Sequence, residues 1–471
     1  MHRFWLALPF VFLLGVSGCI VPGAPGQDDL QNVDDPAVKL VDQLKDKPAD
    51  LETHADLLRL QIQRGDVVGA RGTVEHALFH CGKDFRAHML AAQFHRWQMD
   101  LLTAEKSLLN AKDLAPVQVE PRIALAALYR DAVLETQELE QRKIVVEIAD
   151  SKLKAEFDLD FAYALSQAGQ AKPAAAAAQR VIDAAGAGKA RARAWILLSQ
   201  LALDAGDEPA AINAALEARK SDPKERGPLR FIARLAGALK NPEPLLKSFD
   251  EALATQEDPE IRFAALFGAW TACTKLAVVA QKNPDGADAH AYWMRLRDLD
   301  PGQLDAVSRR YQVVSLLQNY TEETKALKAL LEEQRVGVPS LPGSLVSLMR
   351  VWRAEDCLRL GAAHASLLEL QQLEGRETGL GELRLLRATA LFVARDDEAC
   401  LRLVNQMIQE SKSEPDELVA MRWQIALRQG KALELMRELE AQGEKTTNAA
   451  LWTLAVTRFQ VYRKGAAGGG K

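Results

Sequence analysis

From Pro36 to about Tyr462 the apolar positions recur three and four residues apart, and Gly, Pro or Asx clusters interrupt them roughly every 15 to 20 residues. No stretch sustains the alternation of a strand, so the pattern predicts helices in series joined by short turns. Ala70 and Ala77 recur 34 positions on as Ala104 and Ala111. A fixed period of that length predicts stacked helix pairs. Three stretches share one phase: Leu51 to Asp84, broken at Arg64-Gly65-Asp66; Phe85 to Val117, broken near Asp100; and Arg191 to Pro223, broken at Ala205-Gly206-Asp207.

Small residues at the helix crossing let two backbones approach, a glycine permits the tight turn, and a proline stops the second helix. Leu198-Ser199, Ala202, Gly206, Ala211, Ala215, Ala218 and Pro223 fill such slots in the third stretch. With these residues the chain resembles the tetratricopeptide-repeat family, and the resemblance implies an all-α, right-handed α-solenoid of tetratricopeptide-like helix pairs. Degenerate units follow at Phe157 to Ala185, Leu229 to Thr255, Leu304 to Gln334, Leu383 to Glu410 and Glu417 to Gln442. Second helices longer than the family norm are expected within Val119 to Ser151 and Ile261 to Asp300, and Val336 to Ser344 reads as a Pro/Gly-rich break. Asn448 to Tyr462 reads as an amphipathic closing helix, since the last repeat of an array needs its apolar face covered.

The N-terminus belongs to targeting. Arg3 is followed by an apolar run from Phe4 to Leu14, shorter than the roughly 18 residues a spanning helix needs, and by Val16-Ser17-Gly18-Cys19. The last four residues resemble the bacterial lipobox, which implies cleavage, lipidation of Cys19 and, with Ile20 next to it, an outer-membrane anchor facing the periplasm. Residues 20 to 35 carry Pro22, Pro25 and several acids with little to bury, a tether of at most about 50 to 55 Å. The expected organisation is a signal peptide over 1–18, lipidated cysteine and flexible tether over 19–35, repeats over 36–335, degenerate repeats with the capping helix over 336–462, and a flexible tail over 463–471.

Without Arg3 the chain carries 58 basic against 64 acidic residues, opposite to the basic excess of a nucleic-acid binder. Cys81, Cys273, Cys357 and Cys400 are widely spaced, have no CxxC among them, and sit in apolar helical surroundings, which predicts buried thiols. Glycine-rich phosphate loops, GxSxG and HExxH are absent from the sequence, and its paired acids fall at loops and helix starts, so no enzyme and no cofactor are expected. Five of the eight histidines lie between residues 54 and 95. His76 and His80 have the four-residue spacing that brings two imidazoles together, but His54 and His88 share one packing slot 34 apart and His95 takes another. Packing is therefore the reading chosen, and no metal is assigned.

In the tetratricopeptide family the first helix of each pair lines a peptide-binding groove. Placing the repeats in phase puts Arg59, Gln63, Arg86, Gln93, Arg96, Trp97, Arg130, Tyr163, Gln167, Arg193, Gln200, Arg230 and Arg234 on or near that surface. Arginines there would take carboxylates of an extended partner, with Trp97 and Tyr163 as aromatic anchors. The competing reading is a solvated face with local ion pairs, such as Arg59 with Asp56 or Glu52. Trp195, Trp270, Trp352 and Trp423 read as core, and Trp293, next to Tyr292 beside a turn, reads as either core or surface. The function expected is a membrane-anchored scaffold in the cell envelope binding partner proteins; the alternative is an accessory factor for a peptidoglycan synthase or hydrolase.

Overall fold

The structure, a computed structural model, describes residues 35–184, 186, 188–279, 343–373, 383–411, 415–441 and 447–468. Cys19 with its tether, Trp293, the unit expected over 304–334 and most of the break expected at 336–344 lie outside them. The described residues are helical with no strand. In chain order the helices are α1 Pro36–Asp46, α2 Leu51–Arg64, α3 Val67–Cys81, α4 Phe85–Trp97, α5 Leu101–Leu114, α6 Glu120–Asp131 and α7 Glu135–Ile148. Then come α8 Lys154–Gln167, α9 Ala171–Ala184, α10 Lys189–Asp204, α11 Glu208–Ser221, α12 Arg226–Ala238, α13 Leu246–Thr255 and α14 Pro259–Val279. The last seven are α15 Gly343–Arg359, α16 Ala363–Gln371, α17 Leu383–Val393, α18 Asp397–Glu410, α19 Asp416–Arg428, α20 Ala432–Ala441 and α21 Asn448–Gly468. No described helix is long and apolar enough to cross a membrane.

The repeat boundaries come from one recurring chemistry. Asp50, Asp66, Asp84, Asp100 and Asp207 turn their carboxylates onto first-turn N–H groups, for example Gly69 N to Asp66 at 2.8 Å and Thr103 N to Asp100 at 3.1 Å. Each such cap is worth about 1 kcal/mol. The turn inside a pair is closed by a backbone bond reaching five residues back, as in Asp66 N to Gln61 O, Asp100 N to His95 O, Leu134 N to Tyr129 O and Asp207 N to Ala202 O, all at 2.8–2.9 Å. That bond needs a left-handed residue, supplied by Gly65 (φ 71°) and Gly206 (φ 80°) and, where the glycine is lost, by Met99 (φ 59°), Val133 (φ 56°) and Arg395 (φ 64°). The turn geometry therefore outlasts the glycine signal.

The alanine period is a packing period. Ala70, Ala77, Ala104 and Ala111 are buried, and so are Ala87 and Ala91 on the helix they cross. In the Val119 to Ser151 stretch α7 runs only from Glu135 to Ile148, the same length as α5, so that second helix is not extended. Cys357 and Cys400 are buried thiols, whereas Cys81 and Cys273 are only partly covered.

The chain divides into two compact units, one of residues up to 157 together with 407 onward, the other of 158–406. In the first unit α21 packs on α20, as a closing helix should, and also on α5. Fully buried Phe459 shares a core with Leu101, Leu108, Leu125, Leu128 and Tyr129. Gln460 Nε2 donates to the Ala132 carbonyl at 2.7 Å, just past the end of α6. Arg463 Nε donates to Glu105 at 2.8 Å, and the Tyr129 hydroxyl donates to the same carboxylate at 2.7 Å. Burial, then Glu105, pushes the Tyr129 phenol up, which keeps it a donor.

In the second unit a later stretch meets an earlier one in the same way. Arg353 of α15 donates to the Ala238 carbonyl at 2.6 Å and to Glu208 at 2.7 Å, and it also pairs with Glu369. His364 Nδ1 lies 2.9 Å from Asp204, the last residue of α10, and Arg395 donates to the Gln167 carbonyl at the end of α8. A cation or donor set on a helix C-terminus satisfies orphan carbonyls and opposes the dipole. Leu229, Ile232, Leu235, Leu245 and Phe249 continue this contact as a core that also includes Cys357, Leu360 and Ala362.

Candidate functional site

In the first unit the first helices of the pairs are α2, α4 and α6, and their outward arginines already have partners. Arg59 pairs with Asp56 at 2.8 Å, one of the two local acids expected for it, and Arg86 pairs with Asp84 at 2.7 Å. Arg96 and Arg130, one repeat apart, converge on Asp131, which bonds Arg96 and lies 3.5 Å from Arg130 Nε. Gln93 is exposed, and Trp97 is half-buried with its ring 6.1 Å from that of Phe94. The stripe is thus arginine and aspartate in near balance, with little positive charge left for a partner's carboxylates.

In the second unit Tyr163 is turned inward. Its hydroxyl donates to the Arg193 carbonyl at 3.3 Å, the Arg193 guanidinium stands 5.7 Å from its ring centroid, and burial pushes the phenol up. Arg193 is exposed, as are Arg230 and Arg234 one turn apart on α12. Four arginines and two aromatic residues expected as one surface are therefore held by neighbours within their own unit: Arg59, Arg86, Arg96, Arg130, Trp97 and Tyr163.

A concave feature of the first unit lies instead where one pair passes to the next. A cleft of about 990 Å³ opens between the ends of α3 and α5 and the start of α4, lined by Leu78, Phe79, His80, Cys81, Phe85 and Leu114 among others. Phe79 is 83% exposed, Val117 73% and Leu114 45%, which is unusual for side chains of this size. Phe79 and Leu114 stand near the ends of second helices at largely exposed positions. Two apolar residues at polar phases of their helices were the available signal, and the period of the buried alanines masks them.

Cys81 lines the cleft as a thiol. Its Sγ donates to the Ala49 carbonyl at 3.4 Å, and burial, then Asp84, pushes its pKa up, so it is not an activated nucleophile. Of the histidines, His54 is fully buried and joined to His76, whereas His88 bonds the Gly82 carbonyl at 3.0 Å. His95 lies 3.9 Å from Asp100. Among the described residues no three His, Cys, Asp or Glu side chains are grouped to hold a metal ion.

No protein-family model and no curated protein matches this chain. Among solved structures it is similar to the crystal structure of the P58(IPK) TPR domain, at 14% identity over 88% of this chain and 99% of that one, with a TM-score of 0.20. So loose a superposition transfers no residue and no activity. The helix hairpins themselves carry the assignment, through their aspartate caps, left-handed turns and buried alanines at a 34-residue period. The chain is a tetratricopeptide-like helical-repeat protein.

Proposed function

We propose that this protein is a protein-interaction scaffold held at the bacterial outer membrane by a lipid on Cys19, facing the periplasm, and that it docks envelope proteins through the Phe79 cleft. The observation that carries the binding reading is an open cleft of mixed polar and apolar lining with exposed Phe79 and Leu114 on its wall. It stands in a helix array whose other large side chains are mostly buried and whose outward arginines are mostly paired. Apolar side chains at the rim of a concavity gain free energy only when something covers them, at about 25 cal/mol per Å². The anchoring half of the reading rests on Val16-Ser17-Gly18-Cys19 and the short apolar run before it.

Two experiments test the two halves. Replacing Cys19 by Ser is expected to move the protein from the membrane to the soluble envelope fraction, and retention with membranes would end the anchoring argument. A photo-crosslinker placed at Phe79 is expected to capture a defined envelope protein in cells that the same probe at Gln93 does not. Equal capture at both positions would remove the cleft from the mechanism.

A further inference from the structure

Four aromatic rings stand in a row on the first helix pair. His54 of α2 is fully buried, and its Nδ1 lies 2.7 Å from the Asp50 carbonyl oxygen. A carbonyl only accepts, so Nδ1 carries the proton and the lone pair of the neutral ring is on Nε2. That Nε2 lies 2.9 Å from Nδ1 of His76 on α3, and the two rings stack with centroids 5.2 Å apart. His76 must then donate from Nδ1, which leaves its own lone pair on Nε2. His80, one turn further along α3, brings its ring centroid to 4.4 Å from that of His76, and Phe79 closes edge-on against His80 at 4.9 Å.

We propose that His76 and His80 form a binding site for an imidazole-favouring divalent transition-metal ion such as zinc, with His54 as the positioning residue that fixes the tautomer and orientation of His76. Metal-bound imidazoles ordinarily donate their second N–H to a fixed acceptor, which locks the ring and raises its basicity. Here the acceptor is a buried histidine whose other nitrogen is tied to backbone, so a ring packed out of solvent also fixes the His76 ring. His80 has its own restraint in the Phe79 ring. Both candidate ligands are exposed, so an ion can reach them.

The protein supplies two ligands, and the remaining positions of a tetrahedral ion stay open to water or to a side chain brought by a partner. His80 also lines the cleft beside Phe79, so one of the two ligands stands on the surface proposed for docking. This assignment does not depend on the scaffold reading.

The test is a calorimetric titration of the full chain with zinc chloride near neutral pH, repeated on His76→Ala and His80→Ala. Both positions are exposed, so far-UV circular dichroism is expected to show the helices intact. One zinc per chain is expected for the unaltered protein, with loss of that site in each variant and loss of the accompanying rise in Tm. His54→Leu is expected to weaken binding by about 10- to 100-fold, and His54→Gln, whose amide oxygen still accepts from His76, to recover most of it. Undiminished zinc binding in His76→Ala and His80→Ala, or zinc binding that never involves them, would overturn the site. Equal affinity in His54→Leu would overturn the relay.

Discussion

The docking of α21 on α5 and α6 makes a quantitative claim that a double-mutant cycle can test. Glu105 is nearly buried and accepts from Tyr129 at 2.7 Å and from Arg463 at 2.8 Å, across a separation of 358 residues in sequence. A hydrogen bond to a charged group is worth about 1.5–3 kcal/mol when buried. The Arg463 side chain is 33% exposed, so solvent screening lowers the expected coupling between Glu105→Gln and Arg463→Met to about 1–2 kcal/mol. Methionine is chosen because it keeps an apolar stem near the Tyr129 ring, over which the guanidinium now sits at 5.3 Å. The comparison pair is Arg458 with Glu440, at 2.9 Å but 49% and 41% exposed, where less than about 0.5 kcal/mol is expected. Urea unfolding followed by far-UV circular dichroism on the four proteins of each cycle gives both couplings. If the Glu105/Arg463 changes add within about 0.3–0.5 kcal/mol, the two groups do not meet in solution and the described docking of α21 is wrong.

Two further predictions concern single sites. A methyl group at Gly268 would stand 2.3 Å from the ring of fully buried Phe249, so Gly268→Ala is expected to cost about 1–3 kcal/mol in urea unfolding. The double change with Phe249→Leu should lose less than the sum of the singles, and simple additivity would refute the clash. Burial pushes the His95 pKa below its ordinary 6.5, with Asp100 opposing and Arg71 assisting. A base that binds its proton less readily folded than unfolded leaves stability untouched well above that value and lowers it as pH falls through about 6.5 towards the folded pKa. His95→Gln should therefore close part of the gap between urea midpoints at about pH 7.5 and pH 5.5, and an unchanged gap would clear His95.

Much of the repeat grammar was legible because it is local. Asp66, Asp100 and Asp207 cap the helix that follows them, and Gly65 and Gly206 take the left-handed turn, each through contacts within five residues. Where the glycine gives way to Met99 or Val133, the same turn persists because the helices on either side hold it, and no propensity scale marks it. The outward face of α2, α4 and α6 was legible as a face, but its chemistry was not. Whether Arg96 meets a partner's carboxylate or Asp131 depends on how two repeats stack, and a 34-residue register cannot resolve that distance. The His54–His76 contact likewise joins two helices of one pair, so the four-residue spacing of His76 and His80 shows half of the cluster and hides the buried ring behind it. Least legible were the long-range contacts, such as Gln460 on Ala132 and Arg353 on Glu208, because nothing periodic links residues 328 and 145 positions apart.

Those distant contacts bear on how the polypeptide is made. Arrays of this kind ordinarily gain stability one repeat at a time, each new pair covering the last. In the first unit, however, the apolar side of α5 and α6 is completed by Phe459, and about 300 residues separate α7 from that side chain. Until Phe459 arrives, Leu101, Leu125 and Leu128 are short of cover. Until then a chaperone has reason to hold the chain, and a product truncated before residue 459 would keep its early hairpins and still be unfinished.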